Sequence, residues 1–132
     1  MRILVISDSH GNTRNIERAV ESQPEANIII HLGDGADDIV DLEFVYRDKQ
    51  FYQVAGNCDW GSSLPLEGEL KVADKTIFFV HGHEYRVKTN LQQIKMEARK
   101  RNADIVLFGH THLPITEYDD ELYLLNPGSL QY

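Results

Sequence analysis

The amino-acid sequence predicts an α/β fold and a single domain over residues 1–132. The first observation is a set of short apolar runs rich in Ile, Val and Phe, each bounded by Gly or Asp, which is typical of strands buried on both faces. The second is that helical periodicity separates the early runs, and the third is that hairpin patterns follow later. The predicted strands are Ile3–Ile6, Ile28–Ile30, Phe51–Val54, Ile77–Val80 and Ile105–Phe108.

Each of these apolar runs leads directly into Asp, Asn or His. In an open α/β sheet, ligands bind beyond the carboxyl ends of the strands. If the runs lie side by side and mostly parallel, seven nitrogen- or oxygen-bearing side chains converge on one edge, which is the composition of a metal site. These side chains are Asp8, His10, Asp34, Asn57, His81, His110 and His112.

Two helices are predicted between the early strands. The first begins at Asn12 or Thr13, which can cap it, and ends near Ser22. The second fits Ala36–Tyr46, where acidic residues favour the amino-terminal turn. Its predicted buried stripe consists of Ile39, Val40, Phe44 and Val45.

A third helix and two hairpins are predicted in the carboxy-terminal half. Thr89 and Gln92 have the spacing of a capping box, and basic residues load the end of the helix that follows. Its apolar positions are Leu91, Ile94 and Ala98. The alternating patterns at 64–80 and 115–125, each interrupted by a short polar turn, indicate strand–turn–strand units.

Length and charge exclude several classes of protein. A chain of 132 residues has the size of one domain. Its formal charge of −8 disfavours binding to nucleic acid, which depends on neutralising phosphates, but leaves a small anionic substrate open. The apolar runs are far shorter than the roughly 20 residues of a membrane span, and the first is too short for a secretory signal. We therefore expect a cytoplasmic protein without a membrane partner, and a single cysteine, Cys58, is compatible with a reducing compartment.

Several of the polar residues also have a purely structural interpretation. In isolation, Asp34 is better explained as the cap of the following helix, and Asn57 after a glycine as part of a turn. His31 is interpreted as a hydrogen-bonded histidine of the core, and Trp60 as a buried side chain that could otherwise form an apolar wall near the site. Turn formation is likewise preferred to phosphate contact for two loop residues, Asn12 and Asn126.

Taken together and in this order, these residues resemble the calcineurin-like metallophosphoesterases, in particular the small prokaryotic branch typified by the YfcE and MJ0936 proteins. The resemblance runs from Ile3 to Ser129. It implies a sandwich of α-β-β-α layers and two divalent metal ions, manganese first, with iron, zinc, nickel or cobalt as alternatives. The residues matching the family's ligands to the first ion are Asp8, His10, Asp34 and His112. Those matching the ligands to the second ion are Asp34, Asn57, His81 and His110, so Asp34 would bridge the two.

The function implied by this resemblance is hydrolysis of a small phosphate ester, more readily a diester than a monoester, by a metal-bridging hydroxide. Asp34 and Asn57 then belong to the catalytic centre. Where many family phosphatases have a histidine after the ligand asparagine, this chain has Cys58, whose thiol is a poor substitute for imidazole. His83 is an alternative proton donor, and it is equally well explained as a supporting or solvent-facing residue.

Two alternative functions and one structural question remain open at this stage. The alternatives are a catalytically silent binding or scaffold protein on the same fold, as in the related retromer subunit, and a nuclease, which the charge opposes. Regulatory metal binding without turnover is also conceivable. Family members usually continue past the Asn126–Ser129 loop with further strands. We therefore expect a shortened second sheet, or one completed by another subunit in a homo-oligomer.

Overall fold

The computed structural model describes residues 2–132, so Met1 lies outside the described residues. Within that range the chain forms eight strands, three α-helices and one short 3-10 turn at His83–Tyr85. The strands are β1 Ile3–Ile6, β2 Ile28–His31, β3 Gln50–Gln53, β4 Glu67–Val72, β5 Lys75–Val80, β6 Ile105–Leu107, β7 Ile115–Asp119 and β8 Leu122–Asn126. The helices are α1 Thr13–Ser22, α2 Val40–Val45 and α3 Gln92–Lys100.

The strands form two sheets. The first has the order β1-β2-β3 with all strands parallel, and the second has the order β4-β5-β6-β8-β7. In the second sheet β5, β6 and β8 are parallel, while the predicted hairpins add β4 and β7 in antiparallel pairing. The sheet formed by the carboxy-terminal half is therefore the larger of the two, with five strands. Each sheet contributes three parallel strands whose carboxyl ends lie at one edge.

The core is divided into three layers by the alternation of side chains along the strands. Ile28 and Ile30 of the first sheet pack with Ile77 and Phe79 of the second between the two sheets. Ile29 points to the opposite face and packs beneath the first two helices. On the outer face of the second sheet, the cluster with α3 contains Phe78, Val80, Ile94 and Val106. This alternation confirms the predicted α/β fold with α-β-β-α layers.

Helix α1 follows its prediction closely, whereas α2 does not. Asn12 caps α1 by accepting a hydrogen bond from the backbone N–H of Asn15. The predicted helix over 36–46 is wrong in its first four residues, because that segment forms a turn that is hydrogen-bonded to other loops. The predicted buried stripe is also partly wrong: Ile39 is buried, but Phe44 is 68% and Val45 70% exposed.

The third helix is joined to the second sheet by charged side chains. The predicted capping box is wrong, because the Thr89 side chain forms no cap, and Asn90 Oδ1 instead accepts from the N–H of Gln92. The predicted apolar face is confirmed. The basic residues of the helix pair with strand carboxylates: Lys95 with Glu117, and Arg101 with Glu67. These pairs explain the basic end of the helix better than the helix dipole does, since each has a specific partner.

No helix within residues 2–132 is long and apolar enough to cross a membrane.

Candidate metal centre

The seven predicted ligands meet at the shared edge where the parallel strands of both sheets end. Asp8 and His10 follow β1, Asp34 follows β2, and Asn57 follows β3. The second sheet contributes the histidines that follow β5 and β6. Three groups of side chains have ligand atoms within 4.8 Å of one another, namely Asp8, His10 and His112; His10, Asp34 and Cys58; and Asp34, His81 and His110.

The contacts between carboxylates and imidazoles are close. Asp8 Oδ1 lies 3.2 Å from His112 Nε2 and 3.8 Å from His10 Nε2. Asp34 Oδ2 lies 3.3 Å from His81 Nε2 and 3.6 Å from His10 Nε2. Residues as far apart in the sequence as Asp8 and His112 are thus brought within the reach of one or two ions.

Asp8 is the clearest sign that a cation belongs here. Its side chain is completely buried, and Oδ2 accepts hydrogen bonds from the Ser7 hydroxyl and the His110 backbone N–H. Among residues 2–132, its other oxygen, Oδ1, has no hydrogen-bond partner. A buried carboxylate oxygen without a donor is costly, and carboxylate and imidazole ligands around it fit a divalent ion.

Asp34 is presented to the site by the backbone around it. Its Oδ1 accepts from the N–H of Cys58 at 2.8 Å, so it does not cap α2 as the structural interpretation held. Burial alone would raise the pKa of this carboxyl, but hydrogen bonds from His81 and the Cys58 N–H hold the pKa well below its usual range. A Cβ on Gly56 would overlap the carboxylate, so the glycine permits this approach.

When the ring of His81 is neutral, His81 and Asn57 face each other through atoms that both accept hydrogen bonds. His81 Nδ1 lies 2.8 Å from the carbonyl oxygen of Leu32, to which only an N–H can donate. The neutral ring therefore carries its lone pair on Nε2, which lies 2.9 Å from Asn57 Oδ1. Burial lowers the pKa of His81, but its hydrogen bond with Asp34 raises it above the ordinary value. Either a proton or a cation must hold these acceptors together.

Comparison with known proteins decides the family. The calcineurin-like phosphoesterase superfamily domain matches residues 1–132. The chain belongs to this superfamily. It is 32% identical over 133 residues to the probable metallophosphoesterase YsnB of Bacillus subtilis, covering 99% of this chain and 76% of that protein. The phosphodiesterase MJ0936 of Methanocaldococcus jannaschii is 28% identical, with 97% and 83% covered.

These relatives also confirm the predicted branch, because they include MJ0936 and the phosphodiesterase YfcE of Escherichia coli. The predicted enzyme class, a metal-dependent hydrolase of phosphoric esters, is confirmed at the level of the family. A solved structure of vacuolar protein sorting 29 from Cryptosporidium parvum superposes with a TM-score of 0.80 over 96% of this chain and 73% of that one. At 19% identity this similarity concerns the fold alone.

The loops of this phosphoesterase are held by Asp59, which sequence reasoning did not single out as a site residue. Its carboxylate accepts hydrogen bonds from four backbone N–H groups, those of Asp34, Gly35, Ala36 and Gly56. One side chain thus joins the loop after β2 to the loop after β3. The signal in the sequence is an Asp placed just after a Gly-Asn turn, where such side chains commonly bind backbone amides.

A second set of hydrogen bonds, among Ser9, His31 and Asp38, holds the loop after β1. Ser9 Oγ lies 2.9 Å from His31 Nε2 and donates to Asp38 Oδ2 at 2.6 Å. His31 is fully buried and also accepts from the N–H of Gly33 through Nδ1, which confirms its interpretation as a core histidine. Burial lowers the pKa of His31 to about 4, so it stays neutral at physiological pH.

The remaining histidines depend mainly on the backbone for their positions. The backbone of His10, His110 and His112 is left-handed, with φ between 45° and 69°. Burial first, and then the neighbouring His81, lowers the pKa of His110 to about 4, which keeps its ring neutral. A neutral ring retains the lone pair that a metal requires.

Four other residues lie in or around the site. The ring of His83 lies 5.5 Å from that of His81, its Nδ1 is buried, and burial lowers its pKa. Cys58 is exposed, and desolvation followed by Asp34 raises the pKa of its thiol. Asn126 is buried and donates to the Gly109 carbonyl, in agreement with a structural role. The prediction of a buried Trp60 is wrong, since the side chain is 91% exposed.

Proposed function

We propose that this phosphoesterase is a binuclear metal-dependent phosphodiesterase that hydrolyses a small phosphate diester. The observation that carries the proposal is the buried, unpartnered Oδ1 of Asp8 among imidazole nitrogens, in a site where Asn57 and His81 also present acceptors to each other. The name of the relative MJ0936 supports a diester rather than a monoester as substrate.

The ligand sets follow the two groups of side chains at the site. Asp8, His10 and His112 would hold one ion, and His81 and His110 would hold the other with Asn57. Asp34 lies between the groups, because its carboxylate is close to both His10 and His81, and it would bridge them. When bound, the ions would supply Lewis acidity for the phosphoryl oxygens and activate water for attack on phosphorus.

The protein's own residues would position these groups and provide a proton. Asp59 fixes the backbone around Asp34 and Gly56 before any ion arrives, which limits reorganisation during the reaction. Asn57 would contribute a neutral oxygen, which preserves the positive charge of the centre. His83 would be the donor to the departing oxygen, since its ring lies beside the site and is partly exposed. Because burial lowers its pKa, this role should be strongest at acidic pH.

Manganese is the ion we propose to be most effective, with iron, zinc, cobalt and nickel as alternatives that the mixed nitrogen and oxygen ligands also accommodate. The net charge of −8 supports a small substrate in the cytoplasm rather than a nucleic acid. An exposed edge at β1 would allow a homo-oligomer.

The test is to strip the protein of metal, restore Mn²⁺, and assay bis(4-nitrophenyl) phosphate against 4-nitrophenyl phosphate. We expect Mn²⁺ to restore activity, with the diester hydrolysed faster. Asp34→Ala and His110→Ala should abolish it, whereas the control Asp120→Ala, an exposed aspartate in the β7–β8 turn, should not. Hydrolysis of neither ester by the wild type, or equal behaviour of all variants, would contradict the proposal.

The second candidate is a scaffold without catalysis, which the shared fold leaves open because a fold does not by itself establish an activity. The same experiment separates the two functions, because a scaffold would show no turnover after Mn²⁺ is restored. The intact set of acceptors around Asp8 supports the enzyme.

A further inference from the structure

A cleft of about 670 Å³ opens directly from the candidate metal centre toward the loop after β3. His10 and Asp34 form its inner end. The outer part is lined by Val40, Gln53, Trp60 and Leu64. A group attached to a phosphate at the metal centre would therefore extend into this cleft.

The outer wall of the cleft is apolar and exposed. Trp60 is 91% and Val40 45% exposed, although burial of a large aromatic side chain is strongly favourable. An exposed indole at the mouth of a cleft offers a flat face on which another ring can stack. Such a face favours planar groups over bulky aliphatic ones of similar size.

One residue that lines the cleft, Gln53, carries an unused hydrogen-bond acceptor. Gln53 is the last residue of β3, level with His31 of the neighbouring strand, and it is partly buried. Its Oε1 is buried and, among residues 2–132, has no hydrogen-bond partner. A buried amide oxygen of this kind is costly unless something donates to it. A donor brought by a ligand in the cleft would supply this partner.

The charges along the cleft exclude a second anionic group on the ligand. Asp37, Asp38 and Asp59 line the cleft together with Asp34, and no Lys or Arg lines it within the described part of the chain. An additional phosphate would meet like charges there, whereas an uncharged group carrying an N–H or O–H donor would not.

We propose that this cleft binds one ester group of the substrate, and that this group is an uncharged aromatic ring bearing a hydrogen-bond donor. The ring stacks on Trp60, and its donor reaches Gln53 Oε1. The assignment rests on the proposed function, because the phosphate of the same substrate occupies the metal centre. It narrows the substrate class to diesters with one flat, hydrogen-bonding aromatic group.

The direct test uses the metal-free protein, so that it does not depend on activity. Trp60 is the chain's single tryptophan, and its indole N–H gives one resonance in a ¹H–¹⁵N spectrum. We expect this resonance to shift on titration with 3-aminophenol and to move much less with cyclohexanol. Equal shifts with both compounds, or a shift produced by raising the protein concentration alone, would overturn the assignment.

The second test measures KM with the manganese-loaded enzyme. Trp60→Ala should raise KM for 4-nitrophenyl phenyl phosphate about fivefold, the size expected for one aromatic contact. The control Phe44→Ala removes an aromatic ring of similar exposure outside the cleft and should leave KM unchanged. Gln53→Leu should raise KM for 4-nitrophenyl 3-aminophenyl phosphate, which carries a hydrogen-bond donor on its ring. It should leave KM unchanged for 4-nitrophenyl phenyl phosphate, which carries none.

The outcomes separate the two proposals. If the wild type hydrolyses both esters but Trp60→Ala and Phe44→Ala give the same KM, the cleft assignment is wrong while the proposed function stands. If the wild type hydrolyses neither ester yet the Trp60 resonance responds selectively to 3-aminophenol, the cleft is a ligand site and the proposed function is wrong.

Discussion

The two halves of the chain contribute different chemistry to the same edge of the sandwich. The loops after β1, β2 and β3 supply the predicted oxygen ligands Asp8, Asp34 and Asn57 and one imidazole, that of His10. The two carboxylates accept several hydrogen bonds. The loops after β5 and β6 supply imidazoles. Within residues 2–132, the side chains of His110 and His112 make no hydrogen bonds.

This difference shows that the carboxylates are positioned in advance by hydrogen bonds, whereas the imidazoles of the β6 loop are positioned by their backbone and by contacts with neighbouring side chains. His81 is the exception, since it is held by a carbonyl of the other half, that of Leu32. The centre is thus assembled only when both sheets pack together. Perturbing one half at a time should therefore have separable effects on metal content and stability.

The largest effect is expected at Asp34, whose carboxylate lies close to His10 of the amino-terminal half and to His81 of the carboxy-terminal half. Asp34→Ala should remove both ions and lower kcat/KM about a thousandfold, because a bridging carboxylate serves each of them. His112→Ala should remove one ion only, since it contacts Asp8 and not Asp34. Metal content per chain, measured by mass spectrometry, checks this. Equal metal loss in both variants would contradict the bridging role.

A smaller effect is expected from weakening the hydrogen bonds with which Asp59 holds the loops after β2 and β3. Asp59→Asn removes part of an acceptor that binds four backbone N–H groups, and it should lower the free energy of unfolding by about 3 kcal/mol. Urea unfolding of the metal-free protein measures this. Asp120→Asn, at an exposed aspartate in a turn, is the matched control and should change stability little.

The amino-terminal half should be sensitive to acid through His31, just as the carboxy-terminal half should be through His110, whose pKa is also lowered to about 4. Burial lowers the folded-state pKa of His31 to about 4, so the unfolded chain binds more protons below the ordinary value of 6.5. The free energy of unfolding should therefore fall by about 2 kcal/mol between pH 7 and pH 5 on account of this residue. His31→Gln should remove that part of the pH dependence in urea titrations. Identical pH slopes for both proteins would rule out this role.

The smallest effect is expected from the Cys58 side chain. Its backbone N–H, not its thiol, donates to Asp34, so Cys58→Ser should leave activity within about twofold. Desolvation raises the pKa of the thiol, and the wild type should therefore react more slowly with iodoacetamide at neutral pH than a free thiol. Fast alkylation, or a large loss of activity in the serine variant, would show that the thiol takes part in the chemistry.

The sequence predicted the features that depend on local pattern. The five strands ended in polar residues, and the parallel arrangement of their ends brought all seven predicted ligands to one edge. The roles of these residues as ligands, and of His83 as proton donor, stay predictions. What could not be foreseen depends on contacts between loops about 25 residues apart. Asp59 binds the loop after β2, and Asp38 is drawn away from the helix that it was expected to begin.

The exposure of several apolar side chains could not be predicted from the local sequence pattern either. Phe44, Val45 and Trp60 are residue types typical of a core, but nothing in their immediate sequence shows that these side chains lie at the surface. Helical periodicity identifies an apolar face without showing how much of that face is buried in the folded protein. The domain assignment over residues 1–132 likewise stays a prediction.

The left-handed backbone at five predicted metal ligands lowers the stability of the fold at the site of its proposed function. Among residues 2–132, Asp8, His10, Asp34, His110 and His112 all have positive φ, a conformation that costs a non-glycine residue about 1 kcal/mol or more. For His110 and His112, no side-chain hydrogen bond offsets that cost. Exchange of either for glycine would relieve the strain and remove a ligand in the same step. The loss of these two side chains would therefore make the loop less strained at the cost of the proposed metal centre.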